Sequence, residues 1–358
     1  MDCKDTLSNS DSGTYKIIGL MSGTSLDGLD VAVCEFTYDS EWRGSILEFR
    51  DFNFPKDLRV ALSNSMDLKA EELWRLDKAW AEFSAECVSK MSPDYLPLVQ
   101  LLSSHGHTVF HNPNDGYSVQ IGSGAVLAAR TNLPVVCDLR SLDIAYGGQG
   151  APLVPLVDKT LFSEYDACLN LGGFANISRL PKAWDIGVCN NLLNKLAREK
   201  GLEFDSGGSI AESGIVIQEM LQEMLRLEYH KRTPPKSLGQ EWVQDELYPI
   251  LERFTLHPLE DRLRTSVEYI ALTIVNDCPF IGKILVTGGG AFNSFLIKRL
   301  NKLSPDVTFY LPDNDMINGK EAYAFAFLGL LRWLEKPTVI KSTTGAIKES
   351  SGGAVWLP

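Results

Sequence analysis

An α/β fold in two lobes is what this 358-residue sequence predicts, on three observations. Apolar, β-branched runs recur along the chain. Three of them end in glycine-rich turns, and stretches with helical periodicity lie between them. The first turn, SGTSLDG, joins Tyr15–Met21 to Leu29–Phe36, which read as two strands of a hairpin. Helical patterns follow at Leu58–Met66 and Lys69–Met91, and a strand-like run at Leu133–Cys137. A second hairpin is read over Ala167–Leu180 around Gly172 and Gly173. The third cluster, Gly288, Gly289 and Gly290 with Asn293, follows the run Ile281–Val286 and opens a helical pattern near Ser294. A last helical run spans Ala322–Leu334.

Each turn has the composition to hold an anion. In the first, Gly23 and Gly28 let the backbone come close to a ligand, Thr24 and Ser25 offer hydroxyl donors, and Asp27 can orient a hydrated metal ion; Leu26, Leu29 and Asp30 complete the segment. An ordinary hairpin with a polar tip is the alternative for that turn alone. Glycines between a strand and a helix place backbone N–H groups and a helix N-terminus beside a nucleotide or another anion. Three such turns predict two lobes closing on one nucleotide.

Composition bounds the function. A 44% hydrophobic content over this length supports two cores, and no apolar run is long enough to span a membrane. The polar residues 1–14 lack the apolar core of a signal peptide and read as a disordered extension on a cytoplasmic protein. Seven cysteines, an odd number with no CxxC pair, predict reduced thiols. A formal charge of -12 argues against nucleic acid and anionic membranes as partners, since both demand a basic surface. An anionic small substrate must then be met by a local cation, and Arg140, just after the Leu133–Cys137 run, is the candidate.

Other polar residues carry two readings each. His105, His107 and His111 cluster in HGHTVFH, either as a polar strand end or, by spacing alone, as a zinc site; no metal ligand set is assigned. Asp185 precedes an apolar helical pattern and is either its N-cap or a general base with one oxygen free. Glu321 reads as a first-turn helix residue favoured by the helix dipole, or as a site carboxylate. Tyr229–Gly239, basic and bearing prolines, reads as a loop rather than a domain linker.

The strings GLMSGTSLDGLDVA, SSHGHTVFHNP, VQIG, VVCDLRSLDIAYGGQGAPLVP, LNLGGFANIS and TGGGAFN resemble, in order, the anhydro-N-acetylmuramic acid kinases of bacterial cell-wall (peptidoglycan) recycling. The resemblance implies a two-lobed actin-like (ribonuclease H-like) ATPase fold with an interlobe cleft. Lobes would span 15–136, completed by a helix at about 322–335, and 137–320, with a tail at 336–358. It implies ATP with Mg²⁺ as cofactors, phosphate contacts from the three turns, and sugar contacts from His105, Arg140, Asn176 and Glu321. The lactyl carboxylate of the sugar suits the Arg140 guanidinium. Asp185 matches the position of the family's catalytic base, in a string like D-x-G-P-G-N. Here Val188 and Cys189 stand where Pro and Gly are usual, so a different loop path is expected. Gly207 replaces the second Asp of a later motif, and His107 stands where relatives often carry Gln. The implied reaction opens the 1,6-anhydro ring with water and phosphorylates O6. Another sugar kinase of the same fold and an inactive nucleotide-regulated binding protein are the alternatives. The implied partner is a small anhydro amino sugar, and a homodimer is compatible with the sequence.

Overall fold

The structure is a computed structural model that describes residues 12–23, 26, 28–179, 182–234, 236–278 and 282–358. The chain forms two compact units, residues 1–161 with 319–358 and residues 162–318. In the first, β1 (Ser12–Ser22), β2 (Leu29–Asp39) and β3 (Glu41–Phe52) run antiparallel. The strand β4 (Leu101–Asn112) then pairs parallel with β1, β5 (Tyr117–Ile121) folds back on β4, and β6 (Val135–Cys137) pairs parallel with β4. The second unit holds β7 (Ala167–Leu171), β8 (Phe174–Arg179), β9 (Lys182–Val188), β10 (Gly282–Thr287) and β11 (Val307–Tyr310). Its sheet order is β11-β10-β7-β8-β9, with β7, β8 and β9 antiparallel and β10 and β11 parallel to β7. Both units therefore show the ribonuclease H-like topology, three antiparallel strands continued by two parallel ones on the side of the first. The recurring glycine turns mark a true internal duplication.

Burial explains the central strands. Ile17, Ile18 and Leu20 of β1 and Leu101 and Leu102 of β4 are all fully buried. Neighbouring residues on a strand face opposite ways, so both faces of this sheet are covered. The helix Ala70–Ser89 contributes Leu76, Trp80 and Ala81 to the core that includes Ile18, Leu20 and Leu102. Elsewhere in the unit, the part of helix Asn314–Trp333 from Gly319 onward packs so closely that a Cβ on Gly19 would lie 1.9 Å from the Ala322 carbonyl oxygen. Phe36 stacks there on Tyr323 and Phe327 at ring separations of 5.0 and 5.2 Å. Burying each such side chain stabilises the fold by about 1.5–3 kcal/mol.

Two boundaries differ from the sequence reading. The expected lobe end at Val136 falls inside β6, and the first unit continues through helices Ser141–Ala145 and Val154–Leu161. Residues 336–358 are no separate tail, because β12 (Ala354–Trp356) pairs antiparallel with β6. Both misreadings share a cause: the run at Leu133–Cys137 does contain β6, but what it pairs with is set by β4 and by the three-residue β12, both distant in sequence. The disordered extension expected at 1–14 lies outside the described residues up to residue 11; from Ser12 the chain is in β1.

Because Gly19 meets backbone rather than a flexible side chain, Gly19→Ala should cost about 3 kcal/mol of stability. Urea denaturation monitored by far-UV circular dichroism checks this; a wild-type midpoint would mean that the helix is not seated at β1.

Candidate active site

The site residues of the first unit gather where β4 leaves the sheet. Opposite β1, one residue of β1, Met21, faces two of β4, His105 and Gly106, and Gly106 adopts a left-handed φ of 76°. This bulge re-aims the histidines, a use to which bulges beside active sites are often put. His105, 5% exposed, donates from Nδ1 to the Gly106 carbonyl at 3.0 Å. Its Nε2 accepts from Arg140 Nε and Nη2 at 3.1 and 2.8 Å. Burial, with the Arg140 cation second, drives its pKa down to about 3, so the ring stays neutral.

Arg140 is half-buried just before the Ser141–Ala145 helix. Its Nη1 donates to the Gly150 carbonyl at 2.6 Å, which leaves one N–H on each terminal nitrogen without a partner among the described residues. Asp143 sets the Gly150 acceptor. Fully buried, it accepts from the Gly150 N–H through Oδ2 and from Thr344 Oγ1 through Oδ1, both at 2.8 Å. Glu321 interacts electrostatically with Arg140; its side chain reaches solvent while protein crowds it. Desolvation pushes its carboxyl up, opposed by the Lys320 and Arg140 cations.

Of the first turn, Gly23, Leu26 and Gly28 are described, while Thr24, Ser25 and Asp27 lie outside the described residues. Leu26 holds a left-handed φ of 60°, and a Cβ on Gly28 would meet the Phe52 carbonyl oxygen at 2.5 Å.

In the second unit, Gly172 and Gly173 form the β7–β8 turn, and their carbonyls accept from the N–H groups of Asn190, Cys189 and Asn191 at the start of helix Asn190–Ala197. Asn190 Nδ2 donates to the Leu171 carbonyl at 2.9 Å. Beside it lies the Gly288–Gly290 turn. A Cβ on Gly288 would collide with Asn170 and one on Gly290 with Leu171, but one on Gly289 would find Asn190 Nδ2 at 3.7 Å as its nearest neighbour. Asn293 is committed: its Oδ1 caps helix Ser294–Leu303 by accepting from Leu296 N–H at 2.9 Å.

Asp185 lies in β9, opposite Asn176 of β8, and a bulge at Ile186 follows at once because Ala175 pairs with Gly187. It is therefore no helix cap; Cys189 holds that position without a side-chain bond. Asp185 Oδ2 accepts from the Leu238 N–H at 2.9 Å, and its other oxygen has no partner among the described residues. Burial raises its pKa, opposed by the Leu238 N–H.

The structure bears on four sequence readings. Glu321 sits about two turns into a helix that begins at Asn314, beyond the reach of the dipole invoked for a first turn. The histidines are spoken for singly, His105 by Arg140, His107 by Ser22 at 2.9 Å and His111 by Ser118 at 3.0 Å, and no group of three potential ligands meets among the described residues. Asp185 is a strand residue, as above. Val188 and Cys189 are fully buried, so the departure from the usual Pro and Gly places two apolar side chains in the core. The sequence reading missed Asp143, Thr344, Tyr229 and Leu238, whose roles rest on contacts distant in sequence. The sites thus fall into two sets: 23–30, 105, 140 and 321 in one unit, 172, 173, 176, 185, 288–290 and 293 in the other.

A ribonuclease H-like fold present twice, with glycine turns at the strand ends, is the framework of the actin-like ATPases and sugar kinases. Comparison with known sequences narrows the class. Residues 15–358 match the family model for anhydro-N-acetylmuramic acid kinase, and the chain belongs to that family. It is 35% identical to the anhydro-N-acetylmuramic acid kinase of Synechococcus elongatus, covering 92% of this chain and 96% of the relative. It is likewise 35% identical to the one from Pseudomonas syringae pv. syringae, covering 95% and 98%.

The His105 environment predicts a pH effect. Folding lowers its pKa, so below about 6.5 the unfolded chain takes up a proton that the folded one refuses down to about 3. Its contribution to stability is present above 6.5 and is lost as pH falls through that window. His105→Gln should flatten the acid-side decline by up to about 1.4 kcal/mol per pH unit, read from urea unfolding at pH 7 and pH 5. Equal slopes for the two proteins would refute a neutral, buried imidazole.

Proposed function

We propose that the chain opens the 1,6-anhydro ring of anhydro-N-acetylmuramic acid with water and transfers the γ-phosphoryl group of ATP to O6, giving N-acetylmuramic acid 6-phosphate. The observation that carries this reading is Asp185, a carboxylate fixed by one N–H through Oδ2 with its second oxygen unpartnered among the described residues. That oxygen takes a proton from water as the water attacks C1. The C1–O6 bond breaks, and O6 then attacks the γ-phosphorus with ADP leaving. Two spare N–H groups on Arg140 match the two oxygens of the lactyl carboxylate. His105, with both ring nitrogens engaged, acts by holding Arg140, while Glu321 and Asn176 supply polar contacts to the sugar.

The turns at 23–30, 172–173 and 288–290 hold the ATP phosphates through backbone N–H groups. Mg²⁺ would arrive with the nucleotide. The described residues form no ready cage of carboxylates, which fits an ion held mainly by phosphate oxygens and water and serving to neutralise phosphate charge. Among the described residues no helix is long and apolar enough to cross a membrane. We assign the enzyme to the cytoplasm on the free thiols of its described residues.

Asp185→Asn preserves size and the bond from Leu238 but removes the base. Turnover of the anhydro sugar should fall by roughly two to four orders of magnitude with the melting temperature near wild type. Wild-type turnover would place the base elsewhere. The wild-type enzyme should strongly prefer the anhydro sugar over N-acetylmuramic acid, since only the former needs ring opening.

Gly289→Val tests the nucleotide turn, since a Cβ there would lie 3.7 Å from its nearest neighbour, Asn190 Nδ2, and the backbone is not left-handed; far-UV circular dichroism checks that the variant is folded. ATP affinity by calorimetry should drop about tenfold or more, the equivalent of about 1.4 kcal/mol; unchanged affinity would reduce the cluster to a helix entry.

A further inference from the structure

Asp185 is held by a segment that carries no motif. β9 is the edge strand of its sheet, and residues 236–238 lie along it. The Asp185 N–H donates to the Lys236 carbonyl at 3.0 Å, and the Leu238 N–H donates to Asp185 Oδ2 at 2.9 Å. Tyr229, 1% exposed, donates its hydroxyl to the Asp185 carbonyl at 2.7 Å. The segment has little regular structure of its own, so something else must fix it. The Lys236 side chain, 3% exposed, turns inward and pairs with Asp277 at 2.9 Å, with its ammonium 5.0 Å from the centre of the Tyr229 ring. Asp277, the last residue of helix Leu259–Asp277, also accepts from Trp184 Nε1 at 3.1 Å. Trp184 is the neighbour of Asp185 in β9.

We propose that the buried Lys236–Asp277 ion pair pins the 236–238 segment against β9, making both residues positioning residues for the general base, Asp185. An ion pair this deeply buried is a poor source of net stability, because desolvating the two charges offsets their attraction. What the pair does secure is geometry: it fixes the N–H that orients one carboxylate oxygen and leaves the other for water. The inference rests on the reading of Asp185 as base.

The test is the acid limb of the kcat/KM against pH profile, where activity is lost as Asp185 takes up its proton. The charged and titratable groups on the elements packed around Asp185 are Tyr229, His230, Arg232, Lys236 and Asp277, while Asn176 opposite it is neutral. Burial drives His230 down to about 4 and Tyr229 upward, so neither titrates near neutral pH. Losing the Leu238 N–H removes a bond that favours the charged carboxylate, so the limb should move to higher pH by about one unit. Lys236→Met and Asp277→Asn both release the segment, yet their direct charge effects on Asp185 have opposite sign. An upward move in both variants, with Lys236→Arg at the wild-type position, supports the anchor. Opposite moves, or none, overturn it. Should either single variant fail to fold, the double variant Lys236→Met/Asp277→Leu buries no charge and is read in the same way: an upward limb supports the proposal and a wild-type limb overturns it. Asp185→Asn with normal turnover would instead overturn the assignment of the base itself, so the two failures are distinguishable.

Discussion

The structure turns on sheets whose central strands are covered on both faces. A strand such as β1 or β7 leaves little of either face for polar chemistry, since the neighbours Ile17 and Ile18 in one and Cys168 and Leu169 in the other, which face opposite ways, are buried. Functional groups are therefore confined to strand ends, turns and places where the pleat is broken. Most of the described site residues obey that constraint. The glycine turns follow β1, β7 and β10, Arg140 follows β6, and His105, Asn176 and Asp185, which lie within strands, each sit beside a bulge; Glu321 is carried by a helix instead. A bulge lets a strand keep its apolar neighbours in register while one polar side chain leaves the usual alternation.

The surroundings of Arg140 and of Asp185 are built on different principles. Around Arg140 the chain uses a relay of neutral and charged partners, Thr344 to Asp143 to Gly150 to the guanidinium, with a histidine kept uncharged on the other side. The cation thus keeps its charge while its direction is fixed by acceptors that carry none. Around Asp185 the direct partners are backbone groups and a tyrosine hydroxyl, and burial rather than charge moves its pKa. In such a setting burial raises the pKa of the carboxyl while one N–H holds it in one orientation.

What could be read from the sequence was local. Glycine turns announce themselves because only glycine freely takes the backbone angles seen at Gly106 and Gly288, and hairpins follow from the runs on either side. The family resemblance located Arg140, Asp185 and Glu321, but not their settings. Asp185 resembled a cap because an apolar helix follows it, whereas β9 continues through Val188 before that helix starts. The Tyr229–Gly239 segment read correctly as a loop; that it lines an edge strand follows from the fold of the whole unit. The strand-like run at Leu133–Cys137 contains β6, but its three-residue partner β12 gave no signal, and with it the true extent of the first unit was missed.

That extent has a consequence for how the protein is made. The first unit is interrupted: its sheet is begun by residues before 161 and closed by β12, with the complete second unit encoded in between. On the ribosome the second unit emerges whole and can fold as it appears. Arg140 is synthesised early, but the Thr344 contact to Asp143 and the pairing of β12 with β6 are made by residues that follow the second unit. A nascent chain can thus complete the Gly288–Gly290 turn before the surroundings of Arg140, which wait for residues 319–358.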